Sequence, residues 1–213
     1  MVTAMPRKTL LARRPGATRP RKKPADNRRQ PLLDAAAKLF SSRGFAGTSV
    51  RDITAAVGML SGSMYYHFKS KNEIVFAVHE AGVAHIKAAV DLALVSAPVE
   101  PWDRLEAACA AHLEALLGGT DYAQVVAPQF VRALPRPLRV VLIKQRDSYE
   151  QLFRTLIDDL PLASDVHRRY LRLAILGSLN WALTWYHQGG DPPRLIAKQI
   201  LQMFRLPLEP QVN

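Results

Sequence analysis

Thr48-Ser49-Val50-Arg51-Asp52-Ile53-Thr54-Ala55-Ala56-Val57-Gly58-Met59-Leu60-Ser61-Gly62-Ser63-Met64-Tyr65-Tyr66-His67-Phe68-Lys69-Ser70-Lys71 is the stretch whose reading decides the fold. Ser49 with Asp52 three residues on is a capping box: the hydroxyl accepts an orphan N–H and the acid answers in return. Val50, Ile53, Thr54 and Val57 then give a short helix its buried side. Gly58 ends that helix, as a residue free to take positive φ does. A further short helix is predicted over 61–68. Ser70-Lys71-Asn72-Glu73 is a second capping box and opens a long helix with Ile74, Val75, Val78, Ala81 and Ile86 inside. Two short helices joined by a Gly-containing turn form a helix-turn-helix, whose second member fits a DNA major groove.

The flanking sequence completes the unit. Leu32, Leu33, Ala36, Leu39 and Phe40 recur at three- and four-residue spacing, one apolar stripe of a preceding helix. Pro31 sits in its first turn, where a missing N–H costs little, and Gly44 stops it. Ser61 and Ser63 are small enough to read base edges. Gly62 lets the backbone approach. Tyr65, Tyr66 and His67 offer phenol and imidazole groups to phosphates or bases, with one of the two Tyr rings expected to be partly core. Thr48 and Lys71 flank the groove as expected phosphate contacts.

Charge supports a nucleic-acid partner. The chain has 213 residues, 29 Lys and Arg against 18 Asp and Glu, and a net charge of +11. Residues 1–30 hold ten basic side chains and one acid, residues 31–90 carry +2, and residues 91–213 are neutral. Pro6, Pro15, Pro20 and Pro24 break any helix in the arm. The arm reads as a disordered basic segment over 1–27 that lies on DNA phosphates; a solvated tail and attraction to an anionic membrane surface are the alternatives. No uncharged apolar run reaches the roughly 18 residues a membrane span needs. The single cysteine, Cys109, excludes an intrachain disulfide and a multi-cysteine metal site and suits a reducing cytosol. The six histidines are scattered, and no nucleophile–base pair, phosphate loop or metal-ligand spacing appears. Catalysis, a metal and a cofactor are not expected.

The run from Leu32 to Lys71 resembles the DNA-binding domain of TetR/AcrR-family transcriptional repressors. The resemblance rests on Ala35-Ala36, Leu39-Phe40, Arg43-Gly44-Phe45, Thr48-Ser49, Asp52-Ile53, Val57-Gly58, Gly62-Ser63-Met64-Tyr65, His67-Phe68 and Lys69-Ser70-Lys71, matched without gaps. It implies an all-α homodimer that binds a palindromic operator through an N-terminal three-helix domain. A larger C-terminal domain would bind a small inducer that releases double-stranded DNA. By position, Arg51, Ser61, Gly62, Ser63, Tyr65, Tyr66, His67 and Lys71 fall on the family's DNA-contacting positions. Leu60 departs from the family's usual Ser or Thr cap, so Ser61 is expected to cap instead. The variant Leu60-Ser61-Gly62-Ser63-Met64-Tyr65 looks like a branch regulating steroid-ring and fatty-acid catabolism through CoA thioesters. A regulator of efflux or detoxification genes sensing apolar compounds, and a sequence-blind DNA-coating protein, are the competing readings. The location implied is cytoplasmic and nucleoid-associated.

The remaining chain reads as helices throughout, about nine in all, with a DNA-binding domain over 28–88 and a ligand-binding and dimerisation domain over 89–213. Leu105, Ala108, Cys109, His112 and Leu116 share a face that ends at Gly118-Gly119. Asp121 to Leu134 reads as one helix kinked at Pro128, and Pro135 and Pro137 as a turn. Leu138 to Leu160 and Ser164 to His187 are long helices, the second capped by Ser164, and Arg194 to Phe204 closes the chain. The second of these is apolar on two sides: Leu171, Ile175 and Ala182 on one, Leu173, Leu176 and Leu183 on the other. Gly177 and Ser178 permit close helix approach. With Ile196, Ile200 and Met203 of the last helix, it reads as the homodimer surface.

Candidate ligand residues are His112, Arg146, Tyr149, Glu150, Phe153 and Trp181. Arg146 and Glu150 are four apart on the face of Ile143, Phe153 and Ile157, either an ion pair at a rim or an Arg that receives an acidic or phosphorylated ligand. Arg146-Asp147-Ser148-Tyr149-Glu150, and Asn180-Trp181 with Trp185-Tyr186 and Gly189-Gly190, resemble segments of CoA-thioester-responsive relatives. His112 on an apolar face is either a satisfied core group or a ligand contact. Trp181 and Trp185 serve either packing or a ligand platform.

Overall fold

A computed structural model describes residues 28–208, apart from the side chain of Pro207. The basic arm lies outside the described residues. Every regular element among the described residues is helical, and no helix there is long and apolar enough to cross a membrane.

Helix α1 (Arg29–Arg43) carries Pro31 in its first turn and ends at Gly44, φ 71°. Helix α2 (Val50–Ala56) starts on the capping box: Ser49 Oγ accepts from Asp52 N, and the Asp52 carboxylate accepts from Ser49 N at 2.8 Å. These bonds hold the Asp52 carboxyl below its ordinary pKa. Gly58, φ 64°, reverses the chain, and Met59 N donates to Thr54 O across the turn at 2.8 Å. Helix α3 (Ser61–Met64) is shorter than the 61–68 expected, because Tyr65 to His67 continue as tight turns. Helix α4 (Lys71–Val95) is capped by Ser70, whose Oγ accepts from Glu73 N, but the box is not reciprocal, since the Glu73 carboxylate accepts from Lys69 N at 2.6 Å; its 25 residues run about 37 Å.

That length makes α4 the spine of the molecule. Its first half joins Leu32, Phe40, Ile53, Met64 and Phe68 in one apolar core. Its second half, with Val83, Ile86 and Val90, belongs to another, built around Trp102, Leu105, Leu113 and Phe153. Each fully buried Leu, Ile or Phe contributes roughly 1.5–3 kcal/mol, so both cores hold without a disulfide or metal.

The body adds α5 (Pro101–Leu117), α6 (Asp121–Val126), α7 (Pro128–Arg132), α8 (Arg136–Asp158), α9 (Arg168–Trp181), a 3-10 turn (Ala182–Thr184) and α10 (Pro193–Leu208). Ten α-helices thus stand among the described residues where nine were expected. Prolines account for much of the difference. Pro128 does not kink one helix but starts a second, in the first turn of α7, after Ala127 turns extended. Pro135 is the N-cap of α8 and Pro137 lies in its first turn, so the expected turn is a helix start. Ser164 caps nothing: α9 begins four residues later, after His167.

The two-sided reading of α9 also shifts. Leu171, Ile175 and Ala182 are buried as one face, but Leu176 is buried too. The outward face is Tyr170, Leu173 and Trp181, exposed by 65%, 47% and 63%. On α10, Leu195, Met203 and Leu206 are exposed as well.

Candidate DNA-binding face and effector cavity

The turn after α1, the start of α2 and α3 share one face of the N-terminal core. Met64 and Phe68 are buried beneath it, with the Arg29 guanidinium 5.0 Å from the Phe68 ring. This anchoring turns both Tyr65 and Tyr66 outward, exposed by 59% and 87%. The expectation that one ring is core does not hold. Arg51, Gly62 and Lys69 are exposed, and Ser63 and His67 are half-buried. A methyl group added at Gly62 would meet nothing within 4 Å, so the backbone there is open to approach.

Geometry removes one expected contact, Thr48, and redefines the surroundings of two others, Lys71 and Ser61. Thr48 is 1% exposed, and its hydroxyl donates to Leu39 O and Gly44 O at 3.1 and 2.9 Å. It locks the turn after α1 and leaves no side chain for a phosphate. Lys71 donates from Nζ to Phe45 O and Thr48 O, each at 2.9 Å, and sits 4.1 Å from the Phe45 ring centroid. One of its three protons remains for DNA. Ser61 does not cap α3; Leu60 is the N-cap without a side-chain bond, and Ser61 Oγ lies 3.3 Å from Thr54 Oγ1. Leu60 and Lys69 were not among the candidates, although Leu60 is 81% exposed on this face. An apolar residue at a cap position was the signal for Leu60.

The second site lies in the body. Val83 and Ile86 of α4, His112 and Leu116 of α5, Val126 of α6, Arg146, Tyr149 and Glu150 of α8, and Leu176 and Asn180 of α9 enclose a cavity of about 40 Å³. His112 and Tyr149 are its polar floor. Nδ1 of His112 and the Tyr149 hydroxyl lie 2.7 Å apart, and the two rings stack with an interplanar angle of 12°. Burial pushes the His112 pKa down to about 4 and the Tyr149 pKa up, so both are neutral near pH 7. His112 Nε2 is buried and has no hydrogen bond. Asn180 stands beside it, favouring the charged form, while its own amide donates to Leu176 O at 2.8 Å.

Arg146 and Glu150 form the mouth, with Nε and Oε1 2.7 Å apart. The Nε–H points away from the carboxylate, so this is an ion pair without a well-directed hydrogen bond. Outside the mouth a groove of about 330 Å³ runs along Arg132, Leu173, Gly177 and Trp181. Trp181 therefore lines the outer groove, not the cavity. Phe153 stands edge-on to Tyr149 and His112 at 5.6 and 5.8 Å and supports their rings from behind.

The two sites are mechanically joined. Tyr122 of α6 donates its hydroxyl to Asp34 of α1 at 2.7 Å and accepts from Gln30 at 3.1 Å. Ser41 of α1 donates to Asp121 of α6 at 2.7 Å. Thus α6, which supplies Val126 to the cavity wall, is bonded directly to the first helix of the DNA-binding unit.

Comparison with known proteins agrees with this architecture. Residues 32–78 match the N-terminal domain of bacterial regulatory proteins of the tetR family, and residues 98–207 match the tetracycline repressor-like C-terminal domain. The chain belongs to the TetR family. As a TetR-family regulator it is not an enzyme. It is 30% identical over 192 residues to the HTH-type transcriptional repressor KstR2 of Mycobacterium tuberculosis, covering 84% of this chain and 90% of the relative. The structure of that ketosteroid transcriptional regulator superposes with a TM-score of 0.67 at 25% identity, covering 87% and 97% of the two chains. The superantigen PfiT superposes at 0.70 with 31% identity over 85% and 97%. AibR, solved with isovaleryl coenzyme A and operator DNA, superposes at 0.71 over 83% and 97%, and at 21% identity it speaks for the fold.

Proposed function

We propose that this TetR-family protein is a homodimeric, ligand-responsive transcriptional repressor that acts in the cytoplasm on nucleoid DNA. Its α3 enters successive major grooves of a palindromic operator. Ser61 and Ser63 face bases there, with Gly62 letting the backbone approach, while Arg51, Tyr65, Tyr66, His67 and the remaining Lys71 proton hold phosphates. The basic arm over 1–27 adds sequence-independent attraction. The exposed apolar face of α9 and α10 is the dimer surface. A palindrome requires two recognition helices about 34 Å apart, which only a dimer supplies.

The observation that carries the ligand response is the buried His112–Tyr149 pair with Asn180, a polar end in a cavity whose other walls, apart from the Arg146–Glu150 mouth, are apolar. About 40 Å³ holds a water or two but no effector. An effector therefore selects a conformation in which α6, α8 and α9 stand further apart. Because α6 is bonded to α1, that conformation moves the DNA-binding unit and changes the recognition-helix spacing. An acyl group in the cavity, with polar atoms on His112 and Asn180 and an anionic portion near Arg146, fits this arrangement. A CoA thioester combines all three features, and AibR, solved with isovaleryl coenzyme A, makes it the first class to try.

Fluorescence anisotropy on the fragment upstream of the protein's own gene tests this at about 150 mM salt. A discrete complex dissolved by octanoyl-CoA, with His112→Leu retaining the complex and resisting release, is expected. A discrete complex indifferent to acyl-CoA removes this ligand class. Sequence-blind binding on every fragment removes the repressor.

A further inference from the structure

A second groove, of about 540 Å³, lies between the C-terminal half of α8 and the N-terminal half of α9. Arg154, Arg168, Arg169 and Arg172 face it, with Asp147, Glu150 and Asp158. The carboxylates do not account for the arginines. Glu150 and Asp147 are 2.7 and 3.7 Å from Arg146, which lies outside this groove. Arg168 is engaged elsewhere: it donates to Leu160 O at 3.1 Å and holds the end of α8. Among the described residues, no ion pair joins Arg154, Arg169 or Arg172 to a carboxylate.

Arg172 is the unusual member. It exposes 9% of its surface, lies on a helix otherwise packed through Leu171, Ile175 and Leu179, and its buried Nε has no hydrogen-bond partner. A guanidinium is always charged, and a buried one is rarely left unpaired. Its planar donor fork matches the oxygens of a phosphate. The two exposed arginines beside it add charge at one mouth, and the groove has room for more than one phosphoryl group.

We infer that the α8–α9 groove is an anion site for a phosphate or phosphoanhydride group, with Arg172 as its buried anchor and Arg154 and Arg169 closing over the ligand. Glu150 lines this groove and the effector cavity alike. A molecule bearing both an acyl chain and phosphates spans the two. That extension rests on the effector reading above; the anion site itself does not.

Isothermal titration calorimetry of the full-length chain with pyrophosphate, at about 150 mM salt, tests the site. One saturable event per chain is expected. Arg172→Met keeps the stem, removes the guanidinium and should weaken that event about tenfold or more. Arg154→Met, exposed and without consequence for folding, should weaken it severalfold. Arg132→Met, in the neighbouring groove, should change nothing, and the basic arm contributes equally to every variant. Wild-type isotherms for both groove variants, or no saturable event in the wild type, overturn the site. Displacement of bound octanoyl-CoA by pyrophosphate would identify the ligand's own phosphates as the occupant. Saturable pyrophosphate binding that leaves octanoyl-CoA binding untouched, or occurs without any octanoyl-CoA binding, would assign the site to a free phosphate compound. In that last case the CoA reading of the cavity fails while the anion site stands.

Discussion

Gly82 offers the sharpest handle on the link between cavity and DNA face. It lies on α4 where α6 crosses closest. A Cβ at this position would stand 2.5 Å from Val126 Cγ2 and 3.0 Å from the Tyr122 carbonyl oxygen. Ordinary contact needs about 1 Å more than the first distance allows. Gly82→Ala must therefore push α6 away from α4. Overpacking of this kind costs about 1–3 kcal/mol, or several degrees in Tm for a chain of this size. The direction of the push matters more than its cost. Val126 faces Val83 and Ile86 across the cavity, so moving α6 outward widens it. The variant is thus displaced part-way toward the effector-bound conformation. If about 1 kcal/mol of the strain is relieved on effector binding, effector affinity rises about fivefold, and operator affinity falls by a comparable factor through linkage. Differential scanning fluorimetry and parallel operator and effector titrations provide the readouts. Thr155→Ala, exposed on α8 and outside both the DNA face and the cavity, serves as the control. A Gly82→Ala protein with wild-type Tm and both wild-type affinities would refute the proposed coupling through α6.

Other expectations follow from single groups. His79 and His112 are buried with pKa values lowered to about 4, His79 bonding Gln145 at 2.9 Å. The unfolded chain takes up protons near pH 6.5 and the folded chain does not, so stability should fall as pH drops from about 6.5 to 4, by up to about 3 kcal/mol per histidine; urea unfolding of His112→Gln should show a shallower fall. Thr48→Val should cost about 1–2 kcal/mol by removing the hydroxyl's bonds to the Leu39 and Gly44 carbonyls. After correction for the folded fraction its operator affinity should equal wild type, and a residual loss would restore the phosphate role. Tyr65→Phe should weaken binding to all sequences by about 1 kcal/mol, whereas Ser63→Ala should alter sequence preference; base-substituted operators separate the two. Trp181→Glu places a charge on the exposed face of α9 and should yield monomers by analytical ultracentrifugation, while an unchanged dimer would move the interface elsewhere.

The helix-turn-helix was legible because its signals are local. Ser49 with Asp52, Gly58, and Ser70 with Glu73 fix helix ends within four residues of themselves, and the structure places those ends as read. Proline was less informative. Pro128 and Pro137 stand in first turns, where proline is tolerated, and the same residue type also marks turns and kinks, so packing against α4 and α5 decided between them. Thr48 shows a second limit. A threonine after a glycine turn is equally a phosphate contact or a plug, and only the carbonyls of Leu39 and Gly44, brought over it by tertiary folding, choose. In the body, an apolar-face histidine and an i,i+4 Arg–Glu pair pointed to residues that line the cavity. Asn180, Gln145 and Tyr122 gained their roles from partners more than sixty residues away or across helices, which no spacing rule reports.

In the proposed mechanism, operator and effector select different separations of the two DNA-binding units in one dimer. Pulsed electron-spin distance measurement addresses it directly, with a nitroxide at Lys38→Cys on the exposed side of α1. Cys109, fully buried with its thiol pKa pushed up, stays unlabelled. One narrow distance distribution is expected with operator DNA, a different one with saturating octanoyl-CoA, and a mixture of the two without either. A single distribution under all three conditions would contradict that mechanism.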